Sequence, residues 1–450
     1  MKKTFLIYFY IVTTFVFATD FQNISDEESI LDSPKIVLNS KGKAIATWEK
    51  NLDNKKTSIE FATSLDFGKT WSSPQSITES HKIREPKVII NESGNIICLW
   101  QRKIDDDNSI LELAASYDFG KTWQIMQSDE IKHIINYSIK NINDTVFILW
   151  GKWKTFEKDI IYIKKSIDFG KTWGNPQYIE TQDVPFFKFS LNKSGQGLIT
   201  WKEWHWDPTK NSKFQINYSI SDNFGEDWSE PNTICPNTHY YIEDIQSIID
   251  NKGNIVIVWI GWKEDDNGEN LSILLYYSNS SDNGKTWSKQ TVIEEGNLSA
   301  YCDSPQIVLN PSGKMVLVWQ VQAEKFSDEK DVIKIAISED FGKTWSISKI
   351  ISDESKDCFF PSIHSDSKEH LLISWNAIDI DDSTTLQTRY SQDFGIHWAP
   401  ITDLAYEKSN LGYKIALNPD GNIILLLAQH ENRKVKYQRA ISSDFGKNWE

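Results

Sequence analysis

Four tryptophans stand outside the repeat that organises the rest of this chain: Trp153, Trp204, Trp206 and Trp262. They lie within Trp150-Gly-Lys-Trp153, Trp201-Lys-Glu-Trp204-His205-Trp206 and Trp259-Ile-Gly-Trp262, each just beyond an apolar stretch. An indole has a flat apolar face and one N–H, so it suits stacking on a sugar ring, and it suits filling apolar space equally well. Both readings, ligand platform and core plug, stand on the sequence. His205 and His239-Tyr240-Tyr241 add polar side chains in comparable loops. Three acidic runs accompany them: Asp105-Asp106-Asp107, Asp265-Asp266 with Glu269, and Asp379 with Asp381-Asp382. Three carboxylates can hold Ca²⁺ where their loops converge, but solvated charge is the simpler reading. No His/Cys spacing suits zinc and no Gly-rich phosphate loop leads into a helix, so no metal and no cofactor is expected.

The elements that position these loops are written in a repeat. Eight copies of Ser-x-Asp-x-Gly-x-Thr-Trp run along the chain, the cleanest being Ser64–Trp71, Ser116–Trp123 and Ser166–Trp173. The Asp position is held by Asp66, Asp118, Asp168, Asn223, Asp282, Asp340, Asp393 and Asp444, at intervals of 52, 50, 55, 59, 58, 53 and 51 residues. Asp227, His397 and Asn448 replace the Thr in three copies. That period is too long for a two-helix repeat and suits a four-stranded sheet repeated around an axis.

Each unit reads as strands A to D. Strand A is apolar, as in Lys35–Leu38. A turn ending in Gly follows, such as Asn39-Ser-Lys-Gly42 or Asn310-Pro-Ser-Gly313, and Gly supplies the positive φ such a turn needs. Strand B is continuously apolar, as in Ile96–Trp100, so both of its faces are covered. The repeated motif is the turn between strands C and D, with its Asp and Ser bonding inside the turn and its Trp packing between neighbouring sheets. Of nineteen Trp, eight close the motifs and seven end B strands, which leaves the four above. The last unit stops at Trp449-Glu450 before any D strand. Residues 21–29 resemble a D segment and are expected to pair with that unit and close the ring. The fold expected is an all-β, eight-bladed propeller over residues 19–450, with a seven-bladed ring and an irregular extra unit as the alternative.

In such a meander the A–B and C–D turns share one face, and the B–C and D–A loops share the other. The turns vary little between units and the loops vary in length and content. A ligand site is therefore expected on the loop face, near the central channel. The eight motif carboxylates are expected to be structural.

Bulk properties narrow the partners. Lys2, Lys3, the apolar run Phe5–Phe17 and the small residue Ala18 form a secretory leader over residues 1–18, and no later segment is apolar enough to span a bilayer. An exported chain is expected, periplasmic, secreted or at the cell surface. The formal charge of −15, more negative still without the leader lysines, disfavours nucleic acid. Only five of 48 basic residues are Arg: Arg84, Arg102, Arg389, Arg433 and Arg439. Cys302 and Cys358 hold the same position in neighbouring units, three residues before a Pro, and could pair as a disulfide.

The repeated motif is the Asp box, or BNR repeat, and the chain resembles the sialidase-like Asp-box propellers over nearly all of residues 19–450. The resemblance implies fold strongly and activity weakly, because Asp boxes occur in enzymes and in binding proteins. Sialidases of this type carry Phe-Arg-Ile-Pro early in the ring, and Ile83-Arg84-Glu85-Pro86 is the nearest match. The resemblance then points to Arg84 and Arg102 as a carboxylate grip and to Asp105, Asp106 or Asp107 as an acid. A third Arg and a Tyr–Glu nucleophile pair have no clear counterpart. The favoured expectation is a binding propeller for a carbohydrate or surface protein, with Trp153, Trp204, His205, Trp206 and Trp262 as contacts. The alternative is a divergent exo-α-sialidase or related glycosidase.

Overall fold

The computed structural model describes residues 22–25, 34–52, 56–105, 108–127, 131–132, 134–152, 158–182, 186–205, 213–239, 241–264, 271–295, 302–323, 328–366, 368–379, 381–407, 412–431 and 434–450. The leader expected over residues 1–18 lies outside them, as do Asp106, Asp107, Trp153, Trp206, Arg433 and the acidic run 265–269. Eight antiparallel sheets form an eight-bladed propeller. The innermost strands are Lys35–Leu38, Ile83–Ile90, Ile134–Ile142, Phe187–Leu191, Tyr241–Ile249, Cys302–Leu309, Asp357–Ser365 and Gly412–Leu417, in blades 1 to 8. In blade 2 the outermost strand comes in two pieces, Gln124–Gln127 and Ile131–Lys132, both paired to the third strand.

The N-terminus closes the ring as expected. Gln22–Asn23 pairs with Lys434–Ser442, the third strand of blade 8, with Gln22 opposite Arg439 and Asn23 opposite Gln438. Ile24 donates its N–H to the Tyr437 carbonyl at 3.0 Å, and the Tyr437 N–H donates to Ser25 Oγ at 2.9 Å. Ile24 is buried with Trp48 of blade 1 and Tyr437 of blade 8. The same few residues thus complete one sheet and seal it to the next.

The core lies between blades. Six of the seven tryptophans that end B strands (Trp48, Trp100, Trp201, Trp259, Trp319 and Trp375) are buried to within 1 %. The seventh, Trp150, is half-buried and stacks on Tyr162 with ring centroids 5.3 Å apart. Box tryptophans reach back to the preceding blade, Trp123 against Phe61 at 5.2 Å and Trp287 against Tyr218 at 5.2 Å.

Each Asp box closes on itself. In the first, Ser64 Oγ donates to Asp66 Oδ1 at 2.8 Å and accepts from the Gly68 N–H at 2.9 Å. The Thr70 N–H donates to Asp66 Oδ1 at 2.9 Å, and Thr70 Oγ1 to Oδ2 at 2.6 Å. Hydrogen bonds from Thr122, Thr172 and Thr286 hold the carboxyls of Asp118, Asp168 and Asp282 down at about 2. These carboxylates accept hydrogen bonds within their own turns. The residue before the box Gly also takes a left-handed backbone, φ 61° at Phe67 and 60° at Phe341, a feature the sequence did not announce. Its N–H donates to the A–B turn of the same blade, Phe67 to the Gly42 carbonyl at 2.9 Å and Phe341 to that of Gly313 at 3.2 Å. Gly313, at φ 99°, must be Gly: a Cβ there would stand 2.1 Å from the Phe341 ring. These bonds place the A–B and C–D turns on one face and leave the loops to the other.

The Cys302–Cys358 disulfide does not form. Both thiols are free and buried, in different inter-blade layers, Cys302 against blade 5 and Cys358 against blade 6. Burial pushes both up to about 12. Equivalent positions in neighbouring blades are separated by a packed layer, which keeps the sulfurs apart.

Candidate functional site

The innermost strands of five blades are irregular where they approach the loop face. The register slips between Arg84 and Lys87, Ile134 and Tyr137, Glu243 and Gln246, Asp303 and Gln306, and Phe359 and Ser362. Four of these bulges carry a non-Gly residue at positive φ: Glu85 at 53°, Asp244 at 43°, Ser304 at 49° and Phe360 at 55°. Three of the four precede Pro86, Pro305 and Pro361. Proline is tolerated because the inner strand has no ladder partner on its channel side. The strained amides have partners: Glu85 N–H donates to Glu49 Oε1 at 2.5 Å and Phe360 N–H to Gln320 Oε1 at 3.3 Å. Burial raises the Glu49 carboxyl above its ordinary value. Bulges of this kind re-aim side chains and cluster at sites.

Those of blades 2, 3 and 5 border a cavity of about 620 Å³ at the loop-face end of the channel, walled by blades 2 to 5. A second cavity of about 460 Å³ at the other end is lined by A–B turns such as Asn192–Lys193 and Asn310–Pro311. In the first cavity one wall is cationic. Lys87, Lys140, Lys188 and Lys202 line it, with Tyr137 and Tyr241 between them. Lys87, Lys188, Lys35 and Lys414 hold one repeat position, opposite Leu99, Thr200, Thr47 and Leu426 on the neighbouring strand.

The lysines are positioned by carbonyls and rings of the next blade. Lys87 donates to the Tyr137 carbonyl and lies 4.4 Å over the Tyr137 ring. Lys140 donates to the Phe189 carbonyl. Lys202 donates to the Ile242 carbonyl at 3.0 Å and lies 4.4 Å over Tyr241. Each ammonium keeps further donors for the cavity. The walls displace water from Lys140 and, with Lys188 nearby, push it down to about 8. Lys188 is exposed to the mouth and has no hydrogen bond to another described residue. The blade 5 wall is acidic, with Glu243 near Lys202 and Asp244 near Lys188, and Asp303 of blade 6 beside Asp244.

The sequence-derived site residues fall around this cavity unevenly. Trp262 packs edge-on against Tyr241 at 5.9 Å and supports the cavity wall. Trp204, 43 % exposed, sits across the ladder from Phe214, which itself packs on Tyr241 at 5.1 Å. His205 ends the same strand. Arg84 and Arg102 do not converge. Arg84 stands opposite Gln101 and Arg102 opposite Ile83, so strand alternation sends them to opposite faces. Arg102 is paired with buried Glu112 at 2.9 Å, and Glu112 also receives Trp100 Nε1 at 2.8 Å. Asp105 accepts the N–H and side-chain amide of Asn108, each at 2.7 Å, within its own turn. Asp379 pairs with Lys356 at 2.7 Å and accepts from Thr385 at 3.0 Å. Sequence reasoning missed the lysines, Tyr137 and Asp244, and named Tyr241 only among loop polar residues. The signal for two of the lysines, Lys87 and Lys188, was their shared repeat position.

A family model described as BNR repeat-like domain matches residues 31–205 and 207–450. Among solved structures the chain is similar to an ulvan lyase of polysaccharide lyase family 25, bound to -[GlcA(1-4)Rha3S]-. Identity is 10%, the TM-score is 0.52, and 94% of each chain is covered. It is also similar to the polysaccharide lyase Uly1, at 11% identity and a TM-score of 0.46 over 81% of this chain and 90% of that one. A Hadza microbial sialidase matches at 13% identity and a TM-score of 0.36, over 85% of this chain and 73% of that one. No curated protein matches the sequence. At such identities the likeness is one of fold.

Proposed function

The chain belongs to the BNR repeat-like domain family, and from that premise we propose that its propeller binds an acidic carbohydrate in the loop-face mouth of the channel, without cleaving it. The observation that carries this reading is the meeting of Lys140, Lys188 and Lys202 with Tyr137 and Tyr241 in one cavity of about 620 Å³. A cavity of that size accommodates one or two sugar units and is too small for a protein surface. Ammonium groups suit a carboxylate or sulfate, and the part-exposed ring of Tyr241 suits the apolar edge of a pyranose. The ulvan lyase of the same fold is bound to a saccharide carrying glucuronate and sulfate, which supports the ligand class and no residue role.

Binding is favoured over hydrolysis by the arrangement around Arg102. Its guanidinium is engaged by Glu112, Arg84 faces the other way, and the Asp105 carboxylate is used in its own turn. Tyr137 is a poor base: burial raises it well above its ordinary value, and its hydroxyl donates to the Arg84 and Glu85 carbonyls. Export through the leader over residues 1–18 belongs to the same proposal, since a secreted chain meets extracellular polysaccharide.

Calorimetry with uronic-acid oligosaccharides tests the reading. Wild-type protein binds, and Lys188→Ala weakens binding about tenfold, the worth of one charge-assisted hydrogen bond of about 1.5 kcal/mol. Affinity falls with added salt because the contacts are charged. Absence of binding, or Lys188→Ala binding like wild type, overturns the site. Hydrolysis of a fluorogenic sialoside that is lost in Arg84→Ala overturns the non-catalytic part.

A further inference from the structure

The two walls of the cavity differ in sign, and the difference has a consequence for what can occupy it. Asp244 projects from the blade 5 bulge and Asp303 from the adjoining blade 6 strand. Asp303 is near enough for its charge to act on the Asp244 carboxyl. Asp303 Oδ1 accepts the Ser304 N–H at 2.6 Å and the Ser304 hydroxyl at 3.2 Å, and Oδ2 accepts from Gln322 at 3.4 Å. Asp303 is thereby oriented by three donors. Asp244 faces it, with Lys188 of blade 4 across the mouth and Glu243 beside it on the same strand. The Asp244 carboxyl is raised first by displacement of water and then by the Asp303 charge. Lys188 attracts Asp244 but does not close to an ion pair with it.

Carboxylates spaced like this accept sugar hydroxyls well and repel a second anion. We infer that Asp244 and Asp303 make the site charge-selective: it takes a sugar whose anionic group lies on the edge turned to Lys140, Lys188 and Lys202, presents neutral hydroxyls to the acidic wall, and rejects a sugar anionic on both edges. The inference rests on the proposed binding function and adds a specificity determinant to it. It explains why a cavity with four lysines retains carboxylates on one side only. A general polyanion site would have no use for them.

The test compares a hexuronic-acid disaccharide with the same disaccharide sulfated on the far edge of its uronate ring. Binding is measured by calorimetry at neutral pH with the full chain. Asn is the substitution of choice at position 244 because it tolerates the left-handed backbone there. Wild type binds the unsulfated sugar at least about fivefold more tightly, of the order expected when one like-charge contact is removed. Asp244→Asn brings that ratio close to one by strengthening the sulfated ligand, and Asp303→Asn does so too. Lys188→Ala weakens both ligands and leaves the ratio in place. Acidification narrows the ratio in wild type and leaves it unchanged in Asp244→Asn. A ratio that Asp244→Asn does not move, or a wild type that prefers the sulfated sugar, overturns the selectivity while leaving the binding function standing. Failure of wild type to bind either sugar overturns the binding function, and the selectivity with it.

Discussion

Asn223 Nδ2 donates to Asp227 Oδ2 at 3.0 Å, and the Asp227 N–H donates to Asn223 Oδ1 at 3.0 Å. The fourth Asp box thus keeps the ring of bonds found in the other seven with its charge moved four residues along. His397 and Asn448 preserve the same ring, donating to Asp393 and Asp444 at 2.6 Å each. What the fold requires is a paired acceptor and donor closing the turn, and several residue pairs supply it.

A double-mutant cycle measures that requirement. Asn223→Asp alone sets two carboxylates against each other and destabilises the protein. Asp227→Thr alone replaces the charged acceptor of the Asn223 amide with a neutral hydroxyl, a weaker one. Together they restore the common box, so the double variant is more stable than the sum of the single effects by about 1 kcal/mol in urea unfolding. Additive effects would show that the pair does not couple.

The intact boxes set an acid limit on the fold. Asp118, Asp168 and Asp282 sit at about 2, below the ordinary carboxyl value of about 3.9. A depressed folded pKa gives stability that is fully present above the unfolded value and is lost as pH falls through the folded one. Thermal stability should therefore drop between about pH 4 and pH 2. Asp118→Asn should start lower and lose less across that window. An equal acid slope in the two proteins would remove Asp118 from the cause.

Ring closure depends on very few residues. Ile24 is 4 % exposed and packs where Trp48 meets Tyr437, whose rings lie 5.6 Å apart. Ile24→Ala removes a buried side chain at the seam and costs about 2–4 kcal/mol. The urea midpoint should fall accordingly, and hydrogen exchange should rise first in Lys434–Ser442, the strand that Gln22–Asn23 covers. Uniform exchange across all blades would show that the seam is no weaker than the rest.

The blades were legible because the box recurs in all eight units and most units add the Gly-ended turn and the Trp at the end of strand B. The closing strand was legible because blade 8 lacks a fourth strand and residues 21–29 look like one. The site was not legible for a physical reason. Lys87 and Lys188 read as the polar residues of alternating edge strands, and nothing local shows that four blades turn them to one cavity. The bulges hide too, because Glu85, Ser304 and Phe360 stand before prolines, where a left-handed backbone is not anticipated. Trp262 was singled out as surplus, yet its role is to back Tyr241, the residue that lines the mouth.

Lys140 gives the site an upper pH limit. Its ammonium is pushed down to about 8 by displacement of water and by Lys188. An anionic sugar needs the charged form, and a uronate stays ionised throughout the neutral and alkaline range. Affinity should therefore be steady near neutrality and fall as pH rises through about 8, where Lys140 loses its proton. Lys140→Arg keeps a charge at every accessible pH. That variant should bind with a flat profile to about pH 9, beyond the point at which Lys140 is neutral. Lys140→Ala should bind more weakly at neutrality and be nearly flat as well. Calorimetry with one uronic-acid oligosaccharide across this range decides the matter. A wild-type profile as flat as that of Lys140→Arg would show that Lys140 does not meet the ligand, and would shift the cationic wall to Lys188 and Lys202.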